Sequence, residues 1–170
     1  MMAVRTQTSG AAITLQAVVG FALLLVAHYT IRPLIGGRAP VDFLAIAVLF
    51  SAVRLRPGVA ALLGFLVGVT VDSLAPGYFG AAALSFTLVG YAASWLKAVF
   101  FADHIALTGL FVFVGKWVYD GLYILTGPRI RGVDLLVQLL LWTPIAAAVT
   151  ACVAVLLLTI FRPLYRPQTK

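Results

Sequence analysis

GFLVGVTVDSLAPGYFGAAALSFTLVGY, residues Gly64–Tyr91, holds two apolar stretches separated by a short Pro-Gly turn. In and just before the first stretch, small residues and one carboxylate recur every four positions, at Ala60, Gly64, Gly68 and Asp72. Residues four apart lie on one face of an α-helix. The spacing therefore predicts a helix with a small-residue stripe, Ala60-Gly64-Gly68, that ends at Asp72. Because such stripes let two membrane helices approach closely, we expect this face to point at protein.

The composition indicates an integral membrane protein. Of 170 residues, 63% are hydrophobic and 10% are charged, and the mean hydropathy is +1.10. A water-soluble domain of this length needs a far more polar surface. Most segments are apolar on all sides, which is typical of helices that meet lipid or one another. We therefore predict an all-α fold that forms a single transmembrane helical domain over residues 1–170.

Six apolar segments can be marked, at residues 11–31, 40–55, 57–75, 79–96, 104–126 and 133–161. About 20 residues cross a bilayer as a helix, and short connections make consecutive helices antiparallel neighbours. This pattern predicts a six-helix bundle. The apolar part of the second segment, Val41–Val53, is short, so the alternative is five spans plus a re-entrant second segment. Pro144 predicts a kink near Trp142 or an interfacial first half of the last segment.

The numbers of lysine and arginine residues in the loops predict the orientation of the chain in the membrane, since these residues are enriched in cytoplasmic loops. With six spans, seven of these residues lie inside and four outside; with five spans, eight lie inside and three outside. The count mildly favours five spans. Both models place the C-terminal tail, with Arg162, Arg166 and Lys170, in the cytoplasm. The first apolar run is too long for a cleaved signal peptide and is predicted to be the first span.

Three charged residues fall inside apolar segments: Asp72, Lys116 and Asp120. Each charge costs about 2.5–3.5 kcal/mol in the middle of a membrane helix, so all three should face the bundle interior and find partners. Lys116 and Asp120 are four apart and share a helical face. We predict a charge network in which Lys116 is shared by Asp72 and Asp120. This network has three alternative roles. It can join the third and fifth helices, it can form a pathway for a substrate or protons, or it can recognise a partner protein.

The small-residue stripe has two interpretations. It can pack within the chain on the fourth helix, whose own small residues are Ala82, Ala83, Gly90, Ala93 and Ser94. Alternatively, Ala60, Gly64, Gly68 and Asp72 can dock a transmembrane helix of another protein.

Other classes of function have little support in the sequence. The net charge of +7 is spread over polar breaks and the C-terminus with no basic run among aromatics, so nucleic acid is not a predicted partner. Cys152 is alone, and neither His28 nor His104 has a second histidine at ligand spacing, so no metal or cofactor is predicted. Two aspartates inside the membrane could serve an aspartyl peptidase such as a lipoprotein signal peptidase. That class is disfavoured, because Asp72 is followed by Ser73 and not by the arginine of that family's motif. We predict that the chain is not an enzyme.

Gly64–Tyr91 resembles the rod-shape-determining MreD family. The resemblance consists of a glycine-aromatic-x-x-glycine run that reaches an aspartate (Gly64, Phe65, Gly68, Asp72), a glycine that opens the next helix (Gly80), and a Val-Gly-Tyr segment (Val89, Gly90, Tyr91). The acidic residue of the fifth segment, Asp120, also fits the family.

The resemblance implies a scaffold of the bacterial inner membrane that serves cell elongation, peptidoglycan synthesis and rod shape. As a member of this elongasome it would bind MreC and act with MreB, a SEDS-type glycosyltransferase and its transpeptidase. The docking face for the single span of MreC would be Ala60, Gly64, Gly68 and Asp72. The family is similar in fold to the six-helix S components of energy-coupling-factor transporters. A vitamin-binding S component is therefore the alternative function.

Overall fold

The computed structural model describes residues 10–35, 41–74, 78–100, 105–127 and 132–165. Within these ranges every regular element is helical. The elements are α1 (Gly10–Ile35), α2 (Phe43–Ala52), α3 (Pro57–Leu74), α4 (Ala81–Phe100), α5 (Ile105–Thr126), α6 (Val133–Val137) and α7 (Thr143–Tyr165), with a π-helical turn at Gln138–Trp142 between the last two. Each predicted apolar segment contains a helix, and the predicted helical bundle is confirmed.

Among the described residues, three helices are by length and composition able to cross a membrane: Pro57–Leu74, Ile105–Thr126 and Val133–Ile160. Shorter apolar helical stretches are Val19–Ile31, Phe43–Ala52 and Ala81–Leu96. Large apolar side chains point outward from α1, α3, α4, α5 and α7, for example Leu23, Leu62, Leu88, Leu125 and Leu156. In water such a surface would be an aggregation hazard, whereas in a bilayer lipid tails cover it. The surface is therefore that of a multi-pass membrane bundle.

The short helix α2 is the centre of the bundle. Every residue from Val41 to Leu49 is buried, and α2 packs against α1, α3, α4, α5 and α7. Ten residues rise about 15 Å, which is half of the hydrocarbon thickness. The second segment is thus a helix, as the six-helix prediction has it, but one too short to cross the bilayer by its own length.

The other helices surround α2. α3 packs on α4, α4 on α5, and α5 on α7, while α1 packs on α2. The breaks between helices have local causes. Asp42 caps α2 by accepting the backbone N–H groups of Leu44 and Ala45, both at 3.1 Å. Pro57 occupies the first position of α3, where a missing N–H costs nothing. Gly80 has φ +100° just before α4, a conformation that glycine adopts easily.

The last helix is irregular where the sequence places Pro144. Proline has no N–H to donate to the preceding turn of a helix. The π-helical turn at Gln138–Trp142 ends one residue before Thr143-Pro144, and the apolar helical stretch runs from Val133 to Ile160. The predicted kink position near Trp142 therefore corresponds to a turn with one extra residue.

Candidate functional site

The small-residue stripe faces α4. A Cβ atom added to Gly64 would overlap the carbonyl group of Phe86, and one added to Gly68 would lie 2.5 Å from the carbonyl oxygen of Ala82. In the other direction, a Cβ on Gly90 would lie 2.7 Å from the carbonyl oxygen of Ala60. The two helices therefore touch backbone to backbone, and only glycine fits at these positions.

Asp72 ends the stripe by capping the next helix. Its carboxylate accepts the backbone N–H groups of Gly80 at 3.0 Å, Ala82 at 3.0 Å and Ala83 at 2.9 Å. The first N–H groups of a helix have no partner within the helix, and its N-terminus carries a partial positive charge. Asp72 is only 2% exposed. The carboxylate thus satisfies the start of α4 in a place that water reaches poorly, and it fixes the α3–α4 hairpin.

This geometry chooses between the two interpretations of the stripe. Ala60, Gly64, Gly68 and Asp72 are all buried, and α4 lies against them. The face predicted to dock a partner's helix is therefore occupied by the chain's own α4. The aromatic residues of the same motif, Phe65 and Tyr91, are 47% and 48% exposed and point away from the hairpin contact.

The second site is a buried ion-pair network made of Asp42, Lys116 and Asp120. The Lys116 ammonium nitrogen lies 3.0 Å from Asp42 Oδ2, and it also donates to Asp120 one turn further along α5. Lys116 is 5% exposed and Asp42 is 7% exposed. Since a lone charge at this depth is costly, the carboxylates on both sides stabilise the ammonium group.

The predicted charge network is wrong in one member. Lys116 and Asp120 do pair, but Asp72 is bound to the backbone of α4 and the second carboxylate on Lys116 comes from Asp42. The physical reason is the length of α2. Because this helix is short, its first turn and the capping Asp42 lie beside the middle of α5, where Lys116 is.

Two further helices meet at this network. His28 of α1 is 3% exposed, and its Nδ1 atom lies 3.4 Å from Asp42 Oδ1. Thr150 of α7 is buried and accepts the backbone N–H of Asp42 at 3.3 Å. The network therefore connects α1, α2, α5 and α7. His28 therefore lies inside the protein.

Aromatic rings cover one side of the network. The Lys116 ammonium nitrogen lies 4.9 Å from the centre of the Tyr119 ring, which is within the range of a cation–π interaction. The Tyr119 ring in turn stacks on Phe86 of α4, with ring centres 4.0 Å apart. Tyr119 is thus a buried residue that connects the ion-pair network to the α3–α4 hairpin.

Sequence reasoning missed Asp42. A signal was present, because an aspartate directly before an apolar run is typical of a helix N-cap. His104 and the neighbouring Asp103 lie outside the described residues, as do Pro76 and Gly77. Among the residues that the structure describes, no group of three histidine, cysteine or acidic side chains could hold a metal ion.

Comparison with known protein families gives a match over most of the chain. The model of the family described as "rod shape-determining protein MreD" matches residues 11–167. Neither the curated proteins nor the solved structures contain a match. The matched range covers both the α3–α4 hairpin and the ion-pair network.

Proposed function

Because the chain belongs to the MreD family, we propose that it is a non-enzymatic scaffold of the inner-membrane machinery that elongates rod-shaped bacteria. A role in determining rod shape follows from the family itself. The observation that carries the proposal is the extent of the match, which spans nearly the whole helical bundle. The proposal goes further and assigns the chain a mechanical role, in which it holds MreC in the membrane and links it to the peptidoglycan synthases.

The interior of the bundle supports a scaffold role. The charged side chains at its centre bind one another, and Asp72 binds the backbone of α4. Close glycine packing and paired charges oppose sliding of the helices past one another, because sliding would separate buried charges. A bundle held in this way suits a protein that holds others in register.

MreC is the partner that we propose, through its transmembrane helix. Since α4 covers Ala60, Gly64, Gly68 and Asp72, the docking surface has to be one that faces lipid in the isolated chain. The longer helices offer such surfaces, with exposed leucines at Leu23, Leu66, Leu88, Leu125 and Leu156. MreB, the SEDS-type glycosyltransferase and its transpeptidase would be reached indirectly, through MreC.

The first experiment tests the function as a whole. The chain is expressed in a rod-shaped bacterium depleted of its own MreD, together with the MreC of the chain's own source. We expect restored rod shape and recovery of MreC with the affinity-purified chain from mild detergent. A chain that inserts into the membrane but neither restores shape nor retains MreC would contradict the proposal.

A second experiment locates the partner. Each of the five leucines named above, one on each long helix, is replaced by tryptophan, and both MreC recovery and the Tm of the purified chain are measured. We expect one helix to be sensitive, so that its variant loses MreC while its Tm is unchanged. Gly68→Leu is the comparison, and we expect it to lose Tm and MreC together. Loss of MreC at an unchanged Tm in Gly68→Leu would instead place the partner at the stripe.

Vitamin binding, the alternative considered from the sequence, stays a prediction. Thermal-shift screening of the purified chain with vitamins tests it, because a tight ligand raises the Tm of its receptor by mass action.

A further inference from the structure

A cleft lies between α1 and α3. α3 packs on α2 and α4, and α1 packs on α2. In front of α2, between the other two helices, there is a cavity of about 170 Å³. Its α1 wall consists of residues four apart, Phe21, Leu25 and Tyr29, and Leu44 of α2 forms its floor. Tyr29 is 39% exposed and Leu44 is 2% exposed, so the cleft reaches from the lipid-facing surface to the central helix.

The α3 wall is lined by Leu66, Val67 and Thr70. Leu66 is 58% exposed, whereas Val67 is 7% exposed. The Thr70 hydroxyl donates to the Leu66 carbonyl at 2.9 Å, within its own helix. Besides Thr70 and Tyr29, the lining side chains are hydrocarbon. A polar ligand would lose its hydrogen bonds on entering such a space, so the cleft matches an apolar ligand.

The two hydroxyl-bearing side chains lie at one end of the cleft. Short connections make α1 and α3 antiparallel neighbours of α2, so these two helices run in the same direction. Tyr29 and Thr70 are the last residues of their helices to line the cleft, about 9 Å and 6 Å before the ends of α1 and α3. From Phe21 to Tyr29 the helix rises about 12 Å, close to the hydrocarbon depth of one leaflet. The cleft thus has an apolar depth and a more polar mouth, as a phospholipid has an apolar chain below a polar ester.

The size of the cleft distinguishes a hydrocarbon chain from a helix. An apolar cavity of about 150 Å³ holds one benzene molecule, so this cleft has room for about six carbon atoms. One turn of a helix about 10 Å across fills about 400 Å³. A helix of another protein, or of a second copy of this chain, can therefore cover the mouth but cannot enter. A lipid chain can enter, and the bilayer supplies lipid chains on all sides.

We propose that the cleft binds one acyl chain of a membrane phospholipid, which completes the contact between α1 and α3. The chain enters from the leaflet at the Tyr29 and Thr70 end and lies against Leu44 and Val67. An empty cleft would leave these apolar side chains without van der Waals partners on one side. The inference concerns only this chain and lipid, and it does not depend on MreC binding.

The shallow packing of α1 gives the bound chain a role. Between Val19 and Ile31, where the side chains of α1 are described, His28 is the only buried residue. Its Nδ1 atom lies 3.4 Å from Asp42 of α2. Tyr29, the next residue, lines the cleft. The acyl chain therefore fills the space beside the contact that anchors α1, and it acts as a part of the bundle.

Photolabelling from the lipid tests the site on the full chain in nanodiscs. The probe is a phosphatidylcholine with a diazirine in one acyl chain, and tandem mass spectrometry locates the labelled residues. Lipid around the protein should label the exposed Leu23 and Leu62. We expect additional label on the buried Val67 and Leu44, which lipid outside the cleft does not reach. A phosphatidylglycerol with the same labelled chain should give the same pattern, because the cleft binds the chain and not the headgroup.

A variant that fills the cleft should remove this additional label. Leu25→Trp places an indole in the cleft, whereas Leu23→Trp changes an exposed residue of the same helix and is the control. With label on the exposed Leu88 of α4 as the reference, we expect Leu25→Trp to lose the label on Val67 and Leu44. Leu23→Trp should keep it.

The α3 wall gives a second matched pair, Leu66→Trp and Leu62→Trp. Both leucines are 58% exposed, and of the two Leu66 lines the cleft, so Leu66→Trp should reduce the label on Val67 and Leu62→Trp should not. The proposal is overturned if Val67 and Leu44 stay unlabelled in the wild type, or if both filling variants keep the label. It is also overturned if a benzophenone side chain at Leu66 cross-links in cells to a second copy or to MreC in place of lipid.

Discussion

The Lys116 ammonium nitrogen lies 3.0 Å from the carboxylate of Asp42, and this contact joins the middle of α5 to the residue that caps α2. The same aspartate accepts two N–H groups of its own helix. Asp42 therefore both begins the central helix and fixes its height against α5. This ion pair opposes any sliding of the apolar α2 along its neighbours, because sliding would separate two buried charges.

The Asp42–Lys116 pair predicts non-additive losses of stability. Asp42→Asn keeps the capping oxygen but removes the charge, and Lys116→Met keeps the length of the side chain. Lys116→Met leaves the Asp42 and Asp120 carboxylates without their shared cation and should cost about 3–5 kcal/mol. Asp42→Asn leaves Lys116 paired with Asp120 and should cost less, and the double change should cost less than the sum of the two. Unfolding in mixed detergent micelles measures this. Asp134→Asn, at an exposed position, is the control and should be silent.

Asp72 should behave as a cap and not as a partner of Lys116. Asp72→Ala removes the acceptor of three backbone N–H groups and should lower the free energy of unfolding by about 2–4 kcal/mol, since hydrogen bonds to a charged group are strong. Asp72→Asn keeps one acceptor oxygen and should fall between Asp72→Ala and the wild type. Combined with Lys116→Met, Asp72→Asn should give additive losses. A coupling above about 1 kcal/mol would restore Asp72 to the network.

The hairpin glycines should tolerate no side chain. Gly64→Ala and Gly68→Ala each place a Cβ against the α4 backbone, which cannot yield as a flexible side chain can. Each should cost about 1–3 kcal/mol through overpacking and lower the Tm. Gly20→Ala and Gly58→Ala are matched controls, because a Cβ there meets nothing within 4 Å. Equal Tm values for the two sets would contradict the backbone contact.

Gly115 offers a rescue experiment. A Cβ at Gly115 would lie 2.6 Å from Leu49 Cδ2 and 2.9 Å from its Cδ1, at the end of a side chain rather than at backbone. Gly115→Ala should therefore lower the Tm, and Leu49→Val in the same chain should recover part of the loss by making room. Since Leu49 is on α2 and Gly115 is on α5, recovery in the double variant verifies this helix contact. A further loss in the double variant would argue against it.

The sequence by itself determined the kind of protein and the approximate places of its helices. Apolar runs separated by Pro, Gly and charged residues are a local property, and a bilayer imposes helices on such runs because the backbone must satisfy its own hydrogen bonds. The four-residue spacing from Ala60 to Asp72 likewise defined one helical face. Its contact with protein rather than lipid follows from the small size of its residues, which lets a second backbone approach.

Only the tertiary structure decided which charges meet. Asp72 and Asp42 are both aspartates next to apolar runs, and the spacing of residues gives no rank to their possible partners. The difference arises from the depth of each helix end in the bundle. The short α2 brings Asp42 to the level of Lys116, whereas Asp72 lies where α4 begins, and its carboxylate accepts three backbone N–H groups there. Helix depth depends on all the packed neighbours together, so it cannot be read from any one segment.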